Sequence, residues 1–240
     1  MPEPLPLDRA PSEIAGMFDG IAGRYDLLNG LLSAGRDRKW RARAVEVLGL
    51  PDGATVLDLC TGTADLALAL ASPRGPATRV LGVDFSAEML RLGHEKTRRR
   101  HPDGTVSLLR GDAEQIPLGD RSVDGVTIGF GIRNVSSPPR ALAEIRRVLR
   151  PGGRLAILEF GEPTSPPVRA VYLWYFRRLL PMIGRTISRH RSAYDYLPAS
   201  VGRFYTPPAF CDLLKEVGFK EVRVNPLTLG IVYLYSAELP

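Results

Sequence analysis

Three short segments each end an apolar run on or beside an acid, with a turn following. In the first, Val56-Leu57-Asp58-Leu59 leads into Cys60-Thr61-Gly62-Thr63-Ala64-Asp65. In the second, Val80-Leu81-Gly82-Val83 runs into Asp84, 22 residues beyond Gly62. In the third, Arg110-Gly111 is followed by Asp112 and Ala113. Carboxylates so placed are acceptors for a polar ligand. The first turn holds one glycine and lacks the G-x-G-x-x-G of a pyrophosphate loop, which needs several backbone N–H groups close together. An acid there repels phosphate and attracts an ammonium group. Asp84 can accept from both hydroxyls of a ribose, as acids do in dinucleotide sites. Asp112 can accept from an exocyclic adenine amine. Any one of the three also reads as an ordinary strand–helix turn. Together they describe a pocket for a cationic nucleoside without a phosphate. S-adenosyl-L-methionine, which carries an ammonium and a sulfonium, is such a molecule.

Acids that converge on one ligand must stand at the ends of neighbouring strands. The pattern from Ala54 onward supplies them. Strands are expected over 55–59, 79–84, 105–110, 123–128 and 154–160. Between them, helices are expected over 64–71, 86–99 (capped by Ser86) and 138–149. Short apolar strands alternating with amphipathic helices predict an α/β fold, a parallel sheet with helices on both faces. A helix opened by Pro207 and Pro208 ends near Gly218, and strands follow over 221–225 and 230–237. The four residues between those two strands are too few for a parallel crossover, so the pair must be an antiparallel hairpin. Ahead of the sheet, one helix is expected from Glu13 to Gly23, capped by Ser12, and another from Asp37 to Leu48.

A chain of 240 residues with 44% apolar and 24% charged content is a globular domain, not a disordered or collagen-like chain. We read 1–240 as a single domain with an N-terminal helical cap at 12–48 and a basic aromatic insertion at 165–203. Cys60 and Cys211 are the two cysteines, too few for a disulfide framework or a four-thiolate zinc site, and no metal is expected. The proline-rich, acidic start is unlike a signal peptide, and the longest uninterrupted apolar run in the most apolar segment is seven residues (170–176). A membrane span needs about 20. A cytoplasmic protein is the expectation. The net charge of +6 resides in the insertion, which has seven arginines and one acid, Asp195. Interleaved with Tyr172, Trp174, Tyr175 and Phe176, those arginines suit an anionic surface, although a solvated helix face with a buried aromatic stripe has the same pattern.

Asp58 to Asp65, Asp84 and Asp112 resemble the cofactor motifs of class I S-adenosylmethionine-dependent methyltransferases. Three further blocks narrow the resemblance. The run from Tyr25-Asp26-Leu27-Leu28-Asn29 to Lys39-Trp40 is similar to the first signature of the menaquinone/ubiquinone C-methyltransferase family. Arg147-Val148-Leu149-Arg150-Pro151-Gly152-Gly153, continuing to Glu159, is similar to the second. Phe130-Gly131-Ile132-Arg133-Asn134 also resembles that family. Leu28 stands where the family usually has Met, Gly161 where a Ser often follows, and Asp37 where the signature has His, so no histidine base is available there. The resemblance implies a Rossmann-like seven-stranded sheet, mostly parallel, with an antiparallel last strand. It implies cofactor contacts at Thr63, Asp84, Asp112 and Ala113, to which the residues themselves add Asp58 and Gly62. The Gly62–Thr63 turn would cradle the methionine end. The implied substrate is a polyprenyl quinol, demethylmenaquinol or, alternatively, a benzoquinol, met in reduced form at an anionic membrane surface.

For catalysis we single out Arg133 to favour a phenolate, Asn134 to orient it and Tyr25 to close over the site. A structural ion pair is the competing role for Arg133, and simple packing that for Tyr25. His94 and His101 fall on or just after a helix expected on the back of the sheet, and His190 falls in the insertion, so none is assigned as base. A nucleic-acid methyltransferase of the same fold is disfavoured, because exocyclic-amine enzymes often carry N/D-P-P-Y/F where this chain has Gly129 to Asn134. No nucleic-acid partner is expected, and a homodimer is allowed but dictated by no residue.

Overall fold

The computed structural model describes residues 35–72, 77–174 and 199–240, with Gly16, Asp19, Gly20, Ala22, Gly23, Asp26, Gly30 and Ser33 before them. Ser12, Tyr25, His190 and most of the 165–203 insertion lie outside the described residues. The elements in chain order are α1 (Asp37–Leu48), β1 (Ala54–Leu59), α2 (Asp65–Leu70), β2 (Ala77–Asp84), α3 (Ala87–Arg100) and β3 (Val106–Arg110). After these come β4 (Val123–Gly129), α4 (Pro138–Val148), β5 (Leu149–Phe160), α5 (Pro166–Trp174), α6 (Pro207–Val217), β6 (Lys220–Leu227) and β7 (Val232–Glu238).

Local chemistry sets most boundaries. Ser86 caps α3 by accepting from the Met89 amide at 3.1 Å, with Glu88 in the first turn and Arg98 to Arg100 in the last. Pro138 and Pro139 open α4, where their missing N–H groups cost nothing, and Ser137 caps it. Gly49 and Gly218 end α1 and α6 in the left-handed conformation.

The strands form one seven-stranded sheet in the order β3-β2-β1-β4-β5-β7-β6. β1 to β5 run parallel, and β7 lies antiparallel between β5 and β6. Alternate residues of the parallel strands enter two cores. Leu57, Leu59, Val126 and Ile128 face Ile145 and Phe210 of α4 and α6, whereas Val56, Val80 and Leu158 belong to the core of Trp40, Leu48, Leu66 and Leu90 on α1, α2 and α3. Both faces are covered, which is why these strands are nearly continuous apolar runs.

Two boundaries differ from the sequence reading. β5 starts at Leu149 instead of residue 154, because Leu149 pairs with Val123 across a bulge before Arg154 meets Gly125. The last hairpin is longer than expected, since Pro226 and Leu227 pair with Tyr233 and Val232. A proline is tolerated there because β6 is an edge strand. The connection narrows to a 3₁₀ turn over Thr228–Gly230.

From β1 the chain moves outward to β2 and β3 and then returns to β4 on the other side of β1. The carboxyl ends of β1 and β4 therefore face a topological switch point, the place where open α/β sheets bind ligands.

Candidate active site

A cleft with about 840 Å³ of empty space, part of it open to solvent, lies at this switch point. Its floor is the turn after β1. Cys60, Gly62 and Ala64 all have positive φ (56°, 56° and 67°), so the chain reverses tightly. Gly131 on the far side must lack a side chain, because a Cβ there would collide with the Cys60 Cβ. Asp84 fixes the turn from the neighbouring strand, accepting from the Gly62 amide at 2.7 Å through one oxygen and from the Ser86 amide at 2.9 Å through the other. Asp112 accepts from the Glu114 amide at 2.9 Å.

Of the residues expected to meet the cofactor, the cleft brings together Gly62, Asp84, Asp112 and Ala113, with Asn134 at its edge. Asp58 and Thr63 stand behind the wall, 1% and 2% exposed. Asp58 accepts from Thr61 Oγ1 at 2.6 Å and from Thr127 Oγ1, on β4, at 2.8 Å. Thr63 Oγ1 donates to Asp26 at 2.6 Å and accepts from Lys96 Nζ at 2.9 Å. Arg133 is buried in an ion pair with Glu159, which is wholly enclosed. It also donates to the Phe130 carbonyl at 2.7 Å, and its guanidinium lies 5.4 Å from the centre of the Phe160 ring. Tyr25 lies outside the described residues.

Several participants were not singled out from sequence. The pairing of Glu159 with Arg133, 26 residues away, has no local signal. Phe130 lines the cleft with φ 61° and packs on Phe160, ring centres 4.5 Å apart, with Trp40 at 6.0 Å from Phe130. Asp19 accepts from the Ser86 hydroxyl and so reaches the rim of the same cleft.

The cleft is electronegative. Asp84, Asp112 and Glu114 line it, and no lysine or arginine does so among the described residues. Burial first, then the charges of Asp84, Asp58, Glu159 and Asp112, push the Cys60 thiol well above its ordinary pKa. Burial also raises the Asp84 carboxyl, against the pull of the Ser86 and Gly62 amides. Such a surround suits a cationic nucleoside and disfavours phosphate. The residues present therefore fit S-adenosylmethionine.

Sheet order, antiparallel seventh strand and electronegative switch-point cleft together define a class I S-adenosylmethionine-dependent methyltransferase. Residues 8–238 match the model of the ubiE/COQ5 methyltransferase family, and the chain belongs to that family. A ubiquinone/menaquinone biosynthesis C-methyltransferase UbiE from a Geobacter species is 45% identical over 229 residues, covering 95% of this chain and 97% of the relative. A demethylmenaquinone methyltransferase from Streptomyces avermitilis is 41% identical over 229 residues, 95% of either chain. A solved SAM-dependent methyltransferase from Aquifex aeolicus shares the fold, with a TM-score of 0.62 and 20% identity over 97% of this chain and 100% of that one. The protein is thus a C-methyltransferase that uses S-adenosylmethionine.

Proposed function

We propose that this enzyme methylates a ring carbon of demethylmenaquinol, a polyprenyl hydroquinone, to give menaquinol. The observation that carries the cofactor's side of this reading is the cleft at the switch point, lined by three carboxylates and by no cationic side chain among the described residues. When bound, S-adenosylmethionine supplies an electrophilic methyl group to a ring carbon that sheds a proton in exchange. Asp84 takes the ribose hydroxyls, and Asp112 with the Ala113 backbone takes the adenine. The Gly62–Thr63 turn, braced from behind by Asp58, holds the methionine end.

The ring carbon must be electron-rich, so the substrate is the reduced quinol and not the quinone. Ionising a phenolic oxygen enriches that carbon further. Arg133, permanently charged, favours the phenolate. Glu159 and the Phe130 carbonyl hold its guanidinium over the Phe160 ring, which packs on Phe130 of the cleft lining. Asn134, which lines the cleft, orients the ring. Tyr25 closes the site in this assignment, which rests on its place in the family signature. Most of the work is positioning.

A polyprenyl tail keeps the substrate in a bilayer, so the enzyme works at an anionic membrane surface. α5 opens the basic segment 165–203, and its last residue, Trp174, is 58% exposed. No helix among the described residues is long and apolar enough to cross a membrane. The name of the Geobacter relative covers both quinone pathways, which makes a benzoquinol the second reading. Transfer of label from S-adenosylmethionine to short-chain demethylmenaquinone and to a demethylated benzoquinone precursor, each with and without dithionite, decides between them. Transfer to reduced naphthoquinone alone is expected. Transfer to the benzoquinol alone reverses the assignment, and transfer to neither ring defeats it.

A further inference from the structure

Gly93 lets α3 lie against the turn after β1. A Cβ at this position would press on Leu108 Cδ1 at 2.8 Å and would stand 3.5 Å from the Gly62 carbonyl. The clash is with Leu108 of β3, while toward the turn the helix stands at van der Waals distance, with Ala64 Cβ at 3.4 Å. Lys96, three residues on, donates to Thr63 Oγ1 at 2.9 Å and to Asp65 Oδ1 at 2.9 Å, and forms an ion pair with Asp26 Oδ2 at 2.5 Å. Thr63 donates to the other oxygen of Asp26, so hydroxyl, carboxylate and ammonium close a triangle.

This triangle is one end of a longer chain. Asp65 also accepts from Arg41 at 3.1 Å, and Arg41 grips Asp37 at 2.7 Å. Asp37, the residue that replaces the signature histidine, accepts in turn from Ser33 at 2.9 Å. Asp26, Ser33 and Asp37 all belong to the first signature, and Thr63 and Asp65 to the turn. Two cations, Arg41 and Lys96, thus hold three acids together. Without Lys96, Asp26 and Asp65 would repel each other, and the hydroxyl of Thr63 would lose one of its two partners.

We propose that Lys96 is a positioning residue for cofactor binding. It acts through Thr63 and Asp26, fixing the outer edge of the turn so that one conformation is presented to the amino-acid end of the cofactor. The proposal rests on the reading above that this turn holds the methionine end.

Binding calorimetry with two ligands tests it. S-adenosylhomocysteine has the amino-acid end, whereas methylthioadenosine keeps the nucleoside and thioether and lacks that end. Lys96→Met is expected to weaken S-adenosylhomocysteine about 10-fold, the scale of one charge-assisted hydrogen bond, and to leave methylthioadenosine within about 2-fold. Asp26→Asn should give a smaller loss with the same split, and the double variant should be no weaker than Lys96→Met. Equal losses for both ligands would mark a merely structural lysine and overturn the proposal, as would unchanged S-adenosylhomocysteine binding. Should Lys96→Met not fold, Asp26→Asn decides alone, by the same split. Wild-type protein that binds neither ligand would defeat the cofactor-site reading itself, and the proposal with it.

Discussion

Asp58 is a carboxyl group enclosed on all sides at the end of β1, and burial holds its pKa at about 6, up from 3.8. The hydroxyls of Thr61 and Thr127 and the Ala67 backbone pull the other way and do not win. A raised acid favours the protonated form in the folded state. Its contribution to stability is complete below about pH 4 and is withdrawn as pH rises through about 6. Asp58→Asn keeps the shape and cannot ionise, so its stability relative to wild type should climb across that window and then level. A shift from 3.8 to about 6 corresponds to roughly 3 kcal/mol at the plateau. Urea unfolding of both proteins from about pH 4 to about pH 8 measures the difference. A difference that does not change with pH removes this account. Asp84 and Asp112 were legible in the sequence because an acid after an apolar strand has a place to point. The burial of Asp58 was not, because one of its partners, Thr127, comes from a strand 69 residues away. The same distance effect hid the Arg133–Glu159 pair, which spans 26 residues and forms only when β4 and β5 lie side by side.

Elements were legible where local chemistry settles them. Asp37–Leu48 coincides with its expected span because Gly49 stops the helix, and Ser86 caps α3 as its hydroxyl chemistry requires. β5 was misjudged at its start because pairing with Val123, not propensity, draws Leu149 into the sheet. The two turns that build the cleft, after β1 and after β4, touch each other through Cys60 and Gly131. Cys60 is a non-glycine residue at φ 56°, so it is already strained, and the missing side chain of Gly131 is what leaves it room. Gly131→Ala should therefore destabilise the fold by about 1–3 kcal/mol, the usual cost of overpacking, and weaken S-adenosylhomocysteine binding. Adding Cys60→Gly removes both the clashing Cβ and the strained residue. Thermal unfolding should then show the double variant more stable than Gly131→Ala alone. A double variant as unstable as the sum of the singles means that the two turns do not press on each other.

At the scale of the whole molecule, the membrane-facing role proposed above has a convenient reporter. The chain has two tryptophans, Trp40, which is 6% exposed and donates to Thr228 Oγ1, and Trp174, which is 58% exposed. If α5 meets a bilayer, vesicles containing anionic lipid should shift the Trp174 emission to shorter wavelength and leave Trp40 unchanged, and Trp174→Phe should abolish the shift. Vesicles of zwitterionic lipid alone should give a weaker response, because arginines near the surface contribute about 1 kcal/mol each on an anionic one. An equal response to both lipid types removes the electrostatic part of that role, and no response to either removes the contact. The sheet order has a different consequence, in time instead of space. β7 is the last strand in the chain, yet it lies between β5 and β6 and pairs with both. As the polypeptide leaves the ribosome, β5 has one edge open until β7 arrives, and β6 has no strand beside it at all. An open, apolar edge is a template for pairing with another chain. The enzyme is therefore most exposed to aggregation in the interval between finishing β5 and releasing Val232–Glu238, and a chain stopped before β7 would carry that hazard permanently.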